Sequence, residues 1–190
     1  SSSSGTVIRG NYIGTNSAGT LIRGNSWYGI EIDNSSSVVI DGNLISGNTQ
    51  GGISLWNTGT TLATITSNYI GTNAAGTAAL GNTNDGIKIG GGANNNTIGG
   101  DRTLGEGNVI SGNTGTNSDA IEIGGSGTNN NKIYGNLIGT NATGTAAIGN
   151  ARYGVVVYNG AQGTEIGGTG TGQGNIISGN TSYGIIVDGN

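Results

Sequence analysis

Cysteine, histidine, proline, methionine and phenylalanine are all absent from the 190 residues of this chain. Without cysteine there is no disulfide framework and no thiolate metal site. Without histidine, the commonest general base and the commonest transition-metal ligand are both missing. Charge is scarce as well: Asp, Glu, Lys and Arg make up 8% of the chain, against about a quarter in an ordinary globular domain. Ten acids and six bases leave a net charge of −4 without a run of either sign, which argues against nucleic acid as a partner and against insertion in or attraction to a membrane. No stretch approaches the roughly 18 apolar residues of a spanning helix. The opening SSSSGTVIRG is unlike a secretory leader. With no initiator methionine, the chain reads as a processed product or a segment of a longer one.

What the chain has in abundance is glycine, 42 residues, and asparagine, 27. Such a composition suits low-complexity disorder, yet these residues recur in register. The frame Asn-x-Ile-x-x-Asn occurs six times, as NYIGTN, NLISGN, NYIGTN, NVISGN, NLIGTN and NIISGN. It opens on Asn11, Asn43, Asn68, Asn108, Asn136 and Asn175 and closes on Asn16, Asn48, Asn73, Asn113, Asn141 and Asn180. Another isoleucine precedes each frame, from Ile8 through Ile40, Ile65, Ile98 and Ile133 to Ile166. A third apolar run follows, as GIEI, GISL, GIKI, AIEI, GVVV and GIIV.

Each unit therefore holds three short runs of period two, separated by Gly and Asn, and recurs about every 32 residues. Those are strands and corners. Corners too short for crossover helices leave one solution: a coil in which every strand pairs in parallel with its counterpart one turn later, about 4.8 Å away. Ile then stacks on Ile inside, and Asn on Asn forms a ladder of side-chain amides. The frame asparagines are thus read as structural, and their column from Asn11 to Asn175 as the ladder. The predicted fold is all-β, a parallel solenoid of about six three-strand coils without a capping helix. It forms one domain over 1–190, with coils near 6–37, 38–62, 63–95, 96–130, 131–163 and 164–190.

On these frames, on the Gly-Ile-x-Ile strands and on NYIGTNAAGTAALGN from Asn68 to Asn82, the chain resembles the right-handed parallel β-helices of the pectin-lyase-like superfamily. The likeness is greatest to the repeats of large bacterial secreted and surface proteins. It extends over essentially the whole chain and implies an extracellular or cell-surface location in a bacterium. It is specific for fold and leaves function open, since enzymes and inert stalks share this coil.

Gly-Thr alternates with Ser-Gly inside the frame because insertions alternate. Coils one, three and five continue as SAGTLIRGN, AAGTAALGN and ATGTAAIGN; coils four and six widen the preceding corner as GGDRTLGEG and GGTGTGQG. Equivalent insertions then lie two rises, about 10 Å, apart, too far to pair directly. Leu21, Ile22, Leu80 and Ile148 are expected to fold back as a small apolar cover.

In Gly-Ile-x-Ile the x position points outward, and this column reads Glu31, Ser54, Lys88, Glu122, Val156, Ile186. Lys88 beside Glu122 predicts a surface ion pair. Val156 and Ile186, with Tyr153 and Tyr183, predict an exposed contact patch for another subunit or for sugar rings. The preceding outward column contains Asp85 and Asp119 on adjacent coils, the one pairing of acids that could carry catalysis or hold Ca²⁺ through oxygen ligands. NTNDGIKI and NSDAIEI faintly resemble the acidic strand of polygalacturonases, but the Gly-His-Gly and Arg-x-Lys motifs of that family are missing here. Pectate lyases, similar in fold, cluster several Asp around Ca²⁺ and use an Arg base, for which Arg102 and Arg152 stand isolated.

The first strand begins almost at once and the last, GIIVDGN, ends with a corner in place for another coil. Exposed solenoid ends favour contact with a neighbouring coil, either in a longer array or head to tail with a second copy. The primary reading is an extracellular structural solenoid that stacks end to end without a cofactor. The alternative is a polysaccharide lyase or glycoside hydrolase acting on an acidic polysaccharide through Asp85 and Asp119.

Overall fold

The computed structural model describes residues 3–189. They form the expected right-handed parallel β-helix, with eighteen strands among the described residues and three strands per coil. The first coil contributes β1 (Val7–Arg9), β2 (Tyr12–Ile13) and β3 (Tyr28–Asp33), the second β4 (Val39–Asp41), β5 (Leu44–Ile45) and β6 (Gly51–Trp56). The third has β7 (Thr64–Thr66), β8 (Tyr69–Ile70) and β9 (Ile87–Gly90), and the fourth β10 (Thr97–Gly99), β11 (Val109–Ile110) and β12 (Ile121–Gly124). The fifth has β13 (Lys132–Tyr134), β14 (Leu137–Ile138) and β15 (Val155–Tyr158), and the sixth β16 (Glu165–Ile166), β17 (Ile176–Ile177) and β18 (Ile185–Val187). Each position within a coil builds its own six-stranded parallel sheet: the first holds β1 to β16, the second β2 to β17 and the third β3 to β18.

The register follows the sequence columns. Ile8, Ile40 and Ile65 are successive partners, as are Ile98, Ile133 and Ile166. In the second sheet Ile45, Ile70, Ile110 and Ile138 stack likewise. In the middle coils these isoleucines are fully buried, each burial worth about 2 kcal/mol before conformational entropy is subtracted. A β-branched side chain fits a pleated wall and has few rotamers to lose, so a core with no aromatic larger than the rim Tyr134 still packs.

Two amide ladders hold the corners. The first is the predicted one: each Nδ2 of Asn11, Asn43, Asn68, Asn108 and Asn136 donates to Oδ1 of the next column member, ending at Asn175, at 2.8–3.1 Å. The backbone N–H of each donates to the same oxygen. The second ladder departs from expectation. It runs Asn25, Asn48, Asn82, Asn113, Asn150, Asn180 at 2.8–3.0 Å, so the closing asparagines of the odd coils are not the ones in the ladder. Asn16, Asn73 and Asn141 instead brace the insertions, Oδ1 accepting backbone N–H groups of Thr20 and Leu21, of Thr77 and Ala78, and of Thr145 and Ala146. A ladder position requires a corner, and the insertion moves the corner nine residues on.

The insertions also pair directly, against expectation: Ala74 N–H donates to Gly19 O at 3.0 Å and Ala142 N–H to Gly76 O at 2.9 Å. They lean along the helix axis over the intervening coil, closing a gap that a perpendicular loop would leave open. The outward residues of the second sheet lie beneath them, so Leu44, Val109 and Leu137 are buried. The cover is made by small residues such as Gly19, Ala74, Gly76, Ala142 and Gly144, which stand against Leu44, Tyr69 and Leu137. Of the four side chains expected to form the cover, Leu80 and Ile148 are half-buried, while Leu21 and Ile22 remain about half exposed at the first insertion.

The alternation has a hydrogen-bond explanation. Ser46 Oγ accepts from Gly71 N–H and donates to Thr72 O, and Ser111 Oγ does the same with Gly139 and Thr140. The glycine after each serine, Gly47 or Gly112, has φ near +76°, and a Cβ there would meet Ile22 or Ala79 and a carbonyl of the coil below. An even coil thus needs Ser-Gly to seat the insertions of its odd neighbours.

Candidate functional site

The third sheet carries the longest strands, and its outward face is not roofed by insertions. Three outward columns run along it in the observed register. Beside the two already read from the sequence lies a third, Asp33, Trp56, Gly90, Gly124 and Tyr158. Glycines within these columns let aromatic rings lie down on the sheet. The Tyr28 ring covers Gly51, Trp56 covers Gly90 and Gly91, and Tyr158 covers Gly124; ring atoms sit 2.2–3.1 Å from where a Cβ would stand. Between the rings opens a cleft of about 490 Å³ whose lining includes Tyr28, Asp85, Lys88, Glu122, Arg152, Tyr153 and Tyr158.

The paired acids meet as the columns predict. Asp85, Asp119 and Glu122 each offer an oxygen within 4.8 Å of the others, but their roles diverge. Asp119 is fully buried. Arg152 grips both of its oxygens with Nε and Nη2, and Tyr153 N–H donates to Oδ1 at 3.0 Å. Hydrogen bonding to Asp119 holds the Arg152 guanidinium well above its ordinary pKa. Its Cζ also lies 4.4 Å from the centre of the Tyr153 ring, a cation–π contact. Asp119 is therefore the counter-ion that fixes Arg152 at the cleft wall.

Asp85 accepts the Asp119 backbone N–H at 2.9 Å. Burial, reinforced by the Glu122 charge, raises its carboxyl to about 7. Glu122 is nearly buried, yet the Lys88 ammonium at 2.8 Å and the Tyr158 hydroxyl at 2.7 Å outweigh desolvation and lower its pKa. Tyr158 is pushed up to about 12 by burial and by this bond. The cleft thus sets an Asp85 that exchanges its proton near neutral pH beside an ionised Glu122. The Lys88–Glu122 pair is more sheltered than the surface pair expected, with side-chain exposures of 28% and 11%, because the neighbouring rings wall it in.

The expected contact patch divides. Tyr153 and Tyr183 do associate, with ring centres 5.6 Å apart, and Tyr183 is 58% exposed. Val156 is only 5% exposed, which corrects its reading as an exposed residue: its short side chain sits in register between the longer Glu122 and Ile186. Ile186 is half-buried at the cleft rim. Three acids at this spacing have the composition of a cation site, but their oxygens already accept from Arg152, Lys88, Tyr158 and backbone N–H groups; an entering ion would have to displace one of these cations.

One residue further along the strands stand Trp56 and Tyr158, whose column sets two successive glycines, Gly90 and Gly124, between the aromatics. Arg152 was visible as a lone base, and its position immediately before the Tyr153 column, one coil beyond Asp119, is the signal that pairs it with that acid.

No protein-family model matches the chain, and a search of curated proteins finds no match either. Among solved structures, the chain is similar to a mutant of the periplasmic alginate epimerase AlgG, with a TM-score of 0.58 and 17% identity over 98% of this chain and 40% of that one. The chain therefore spans well under half of that protein, and the likeness is one of fold.

Proposed function

We propose that this chain is a polysaccharide-binding β-helix working outside the cytoplasm, with its ligand lying along the outward face of the third sheet. The observation that carries this reading is the open cleft itself: a polar floor of Asp85, Lys88, Glu122 and Arg152 flanked by tyrosine rings, a surface with both hydrogen-bonding groups and amphipathic stacking faces. The β-helix likeness to an alginate epimerase described as periplasmic supports the ligand class and the location. Head-to-tail stacking of copies is a separate proposal, checked by electron microscopy for fibres with a 4.8 Å meridional repeat.

A second reading, processing of the bound chain, is favoured by Asp85, whose carboxyl at about 7 suits a group that gives and takes a proton at neutral pH. The acids here hydrogen-bond or lie within 4.8 Å of one another, leaving no room for a sugar between them, so a two-carboxylate hydrolase is disfavoured. Affinity electrophoresis against a panel of soluble polysaccharides tests binding; retardation by none of them refutes it. Release of reducing or unsaturated sugars, abolished by Asp85→Asn with binding retained, would establish processing. Binding without release would confine the chain to recognition.

A further inference from the structure

The cleft continues beyond the Lys88–Glu122 pair into a second depression of about 280 Å³, bounded by Trp56, Tyr158 and Asn159. Its floor is unusual. Gly91 of the third coil and Gly124 and Gly125 of the fourth bring bare backbone to the surface, while Gly90 lies buried beneath the Trp56 ring. The Trp56 ring reaches over from the second coil and the Tyr158 ring from the fifth. Five Trp56 ring atoms, Cζ3, Cε3, Cη2, Cε2 and Nε1, lie 2.2–3.1 Å from the Cβ positions of Gly90 or Gly91, and three Tyr158 ring atoms 2.4–2.9 Å from that of Gly124. Each ring therefore rests one face on the sheet, and Trp56 remains 38% exposed. Adjacent coils are about 4.8 Å apart, so the two rings make a short aromatic platform beside the carboxylate–ammonium pair.

Charge decides what such a platform can hold. Lys88 and Arg152 are the cations of the main cleft, and each is already bonded to an acid, Glu122 or Asp119. A polymer with a carboxylate on every sugar would meet no uncommitted cation in this lining, and would lose water from its own charges without compensation. An uncharged sugar meets no such cost. The C–H face of a pyranose covers an aromatic ring, and its hydroxyls can donate to Glu122 and accept from Lys88.

Resting on the polysaccharide reading above, we propose that Trp56 and Tyr158 form a sugar-stacking subsite and that the ligand is an uncharged polysaccharide. The glycines at 90 and 124 are part of this site, because any side chain there would lift the rings off the sheet.

Affinity electrophoresis with hydroxyethylcellulose, xylan and galactomannan as uncharged probes, and with alginate and polygalacturonate as anionic ones, tests the inference. The expected result is retardation by at least one uncharged polymer and by neither anionic one. Trp56→Ala should weaken binding at least tenfold, while Trp56→Phe, which keeps a ring, should bind within about threefold of the parent. Thermal unfolding of each variant, together with Tyr158→Ala as a second ring deletion, separates lost binding from lost fold. Undiminished binding by folded Trp56→Ala and Tyr158→Ala, or binding to anionic polymers alone, would overturn the inference and leave polysaccharide binding intact. Failure of every polymer in both classes would overturn both.

Discussion

Asp85→Asn should remove most of the pH dependence of stability between pH 5 and 9. In the folded chain burial and the Glu122 charge raise the Asp85 carboxyl from 3.8 to about 7, so in the lower half of that interval, up to the native value, the native state retains a proton that the unfolded state has released. Stability must then fall as pH rises. The contribution is complete below the unfolded pKa of 3.8, declines through the native value near 7 and is absent above it. At about 1.4 kcal/mol per pH unit the full difference amounts to roughly 4 kcal/mol, of which roughly 3 kcal/mol falls above pH 5. Glu122 and Asp41 act with the opposite sign, since their lowered values stabilise above the ordinary carboxylate range and fail below it. They therefore leave the neutral window to Asp85. An asparagine can still accept the Asp119 N–H and donate toward Glu122, so the variant should be as stable as the parent at pH 5 and up to about 3 kcal/mol more stable at pH 9. Urea midpoints at both pH values measure this. A parent chain whose midpoint is flat from pH 5 to 9, or a variant that keeps the parent's slope, would refute the reasoning.

Other consequences concern the scaffold. Asn82→Ala should cost several kcal/mol, because fully buried Asn82 serves Asn48, Ile45 and Asn113 through four hydrogen bonds. Asn73→Ala, which looks equivalent in the repeat, should cost about 1 kcal/mol, since Asn73 braces only an exposed loop; denaturant midpoints of the two variants distinguish them. Arg152→Ala strands Asp119, which is 0% exposed, and should destabilise by about 3–5 kcal/mol, with much of the loss restored by Asp119→Asn in the double variant. Leu62, 61% exposed at φ +57°, occupies a corner whose neighbours include Ser37 and Asn95; Leu62→Gly should raise the unfolding midpoint by the equivalent of about 1 kcal/mol. Millimolar Ca²⁺ should leave the parent's midpoint unchanged if Arg152 and Lys88 keep their acids, and an upward shift would show that the ion displaces them.

The fold was legible in the sequence because a solenoid is nearly one-dimensional: whatever repeats in sequence stacks in space. The isoleucine columns, the first asparagine ladder and the meeting of Asp85 with Asp119 all follow from counting residues, since identical strands must pair in register to bury the same face. Counting failed where the chain leaves the coil. Asn73 and Asn82 bear the same type and lie in the same loop, and only the corner's position after the insertion shows which one faces inward. The direct pairing of Gly19 with Ala74 depended on the loops leaning along the axis, a choice made by the apolar residues they cover.

The candidate site divides along the same line. The sequence alone determined which acids and aromatics share the outward face of the third sheet, because alternation and register are local rules. Only the tertiary structure decided that Arg152 neutralises Asp119 while Asp85 holds its proton to higher pH than an ordinary carboxyl, and that Trp56 and Tyr158 lie flat over glycines. Those outcomes depend on which side chains exclude water from which charges, and burial is a property of the assembled coil.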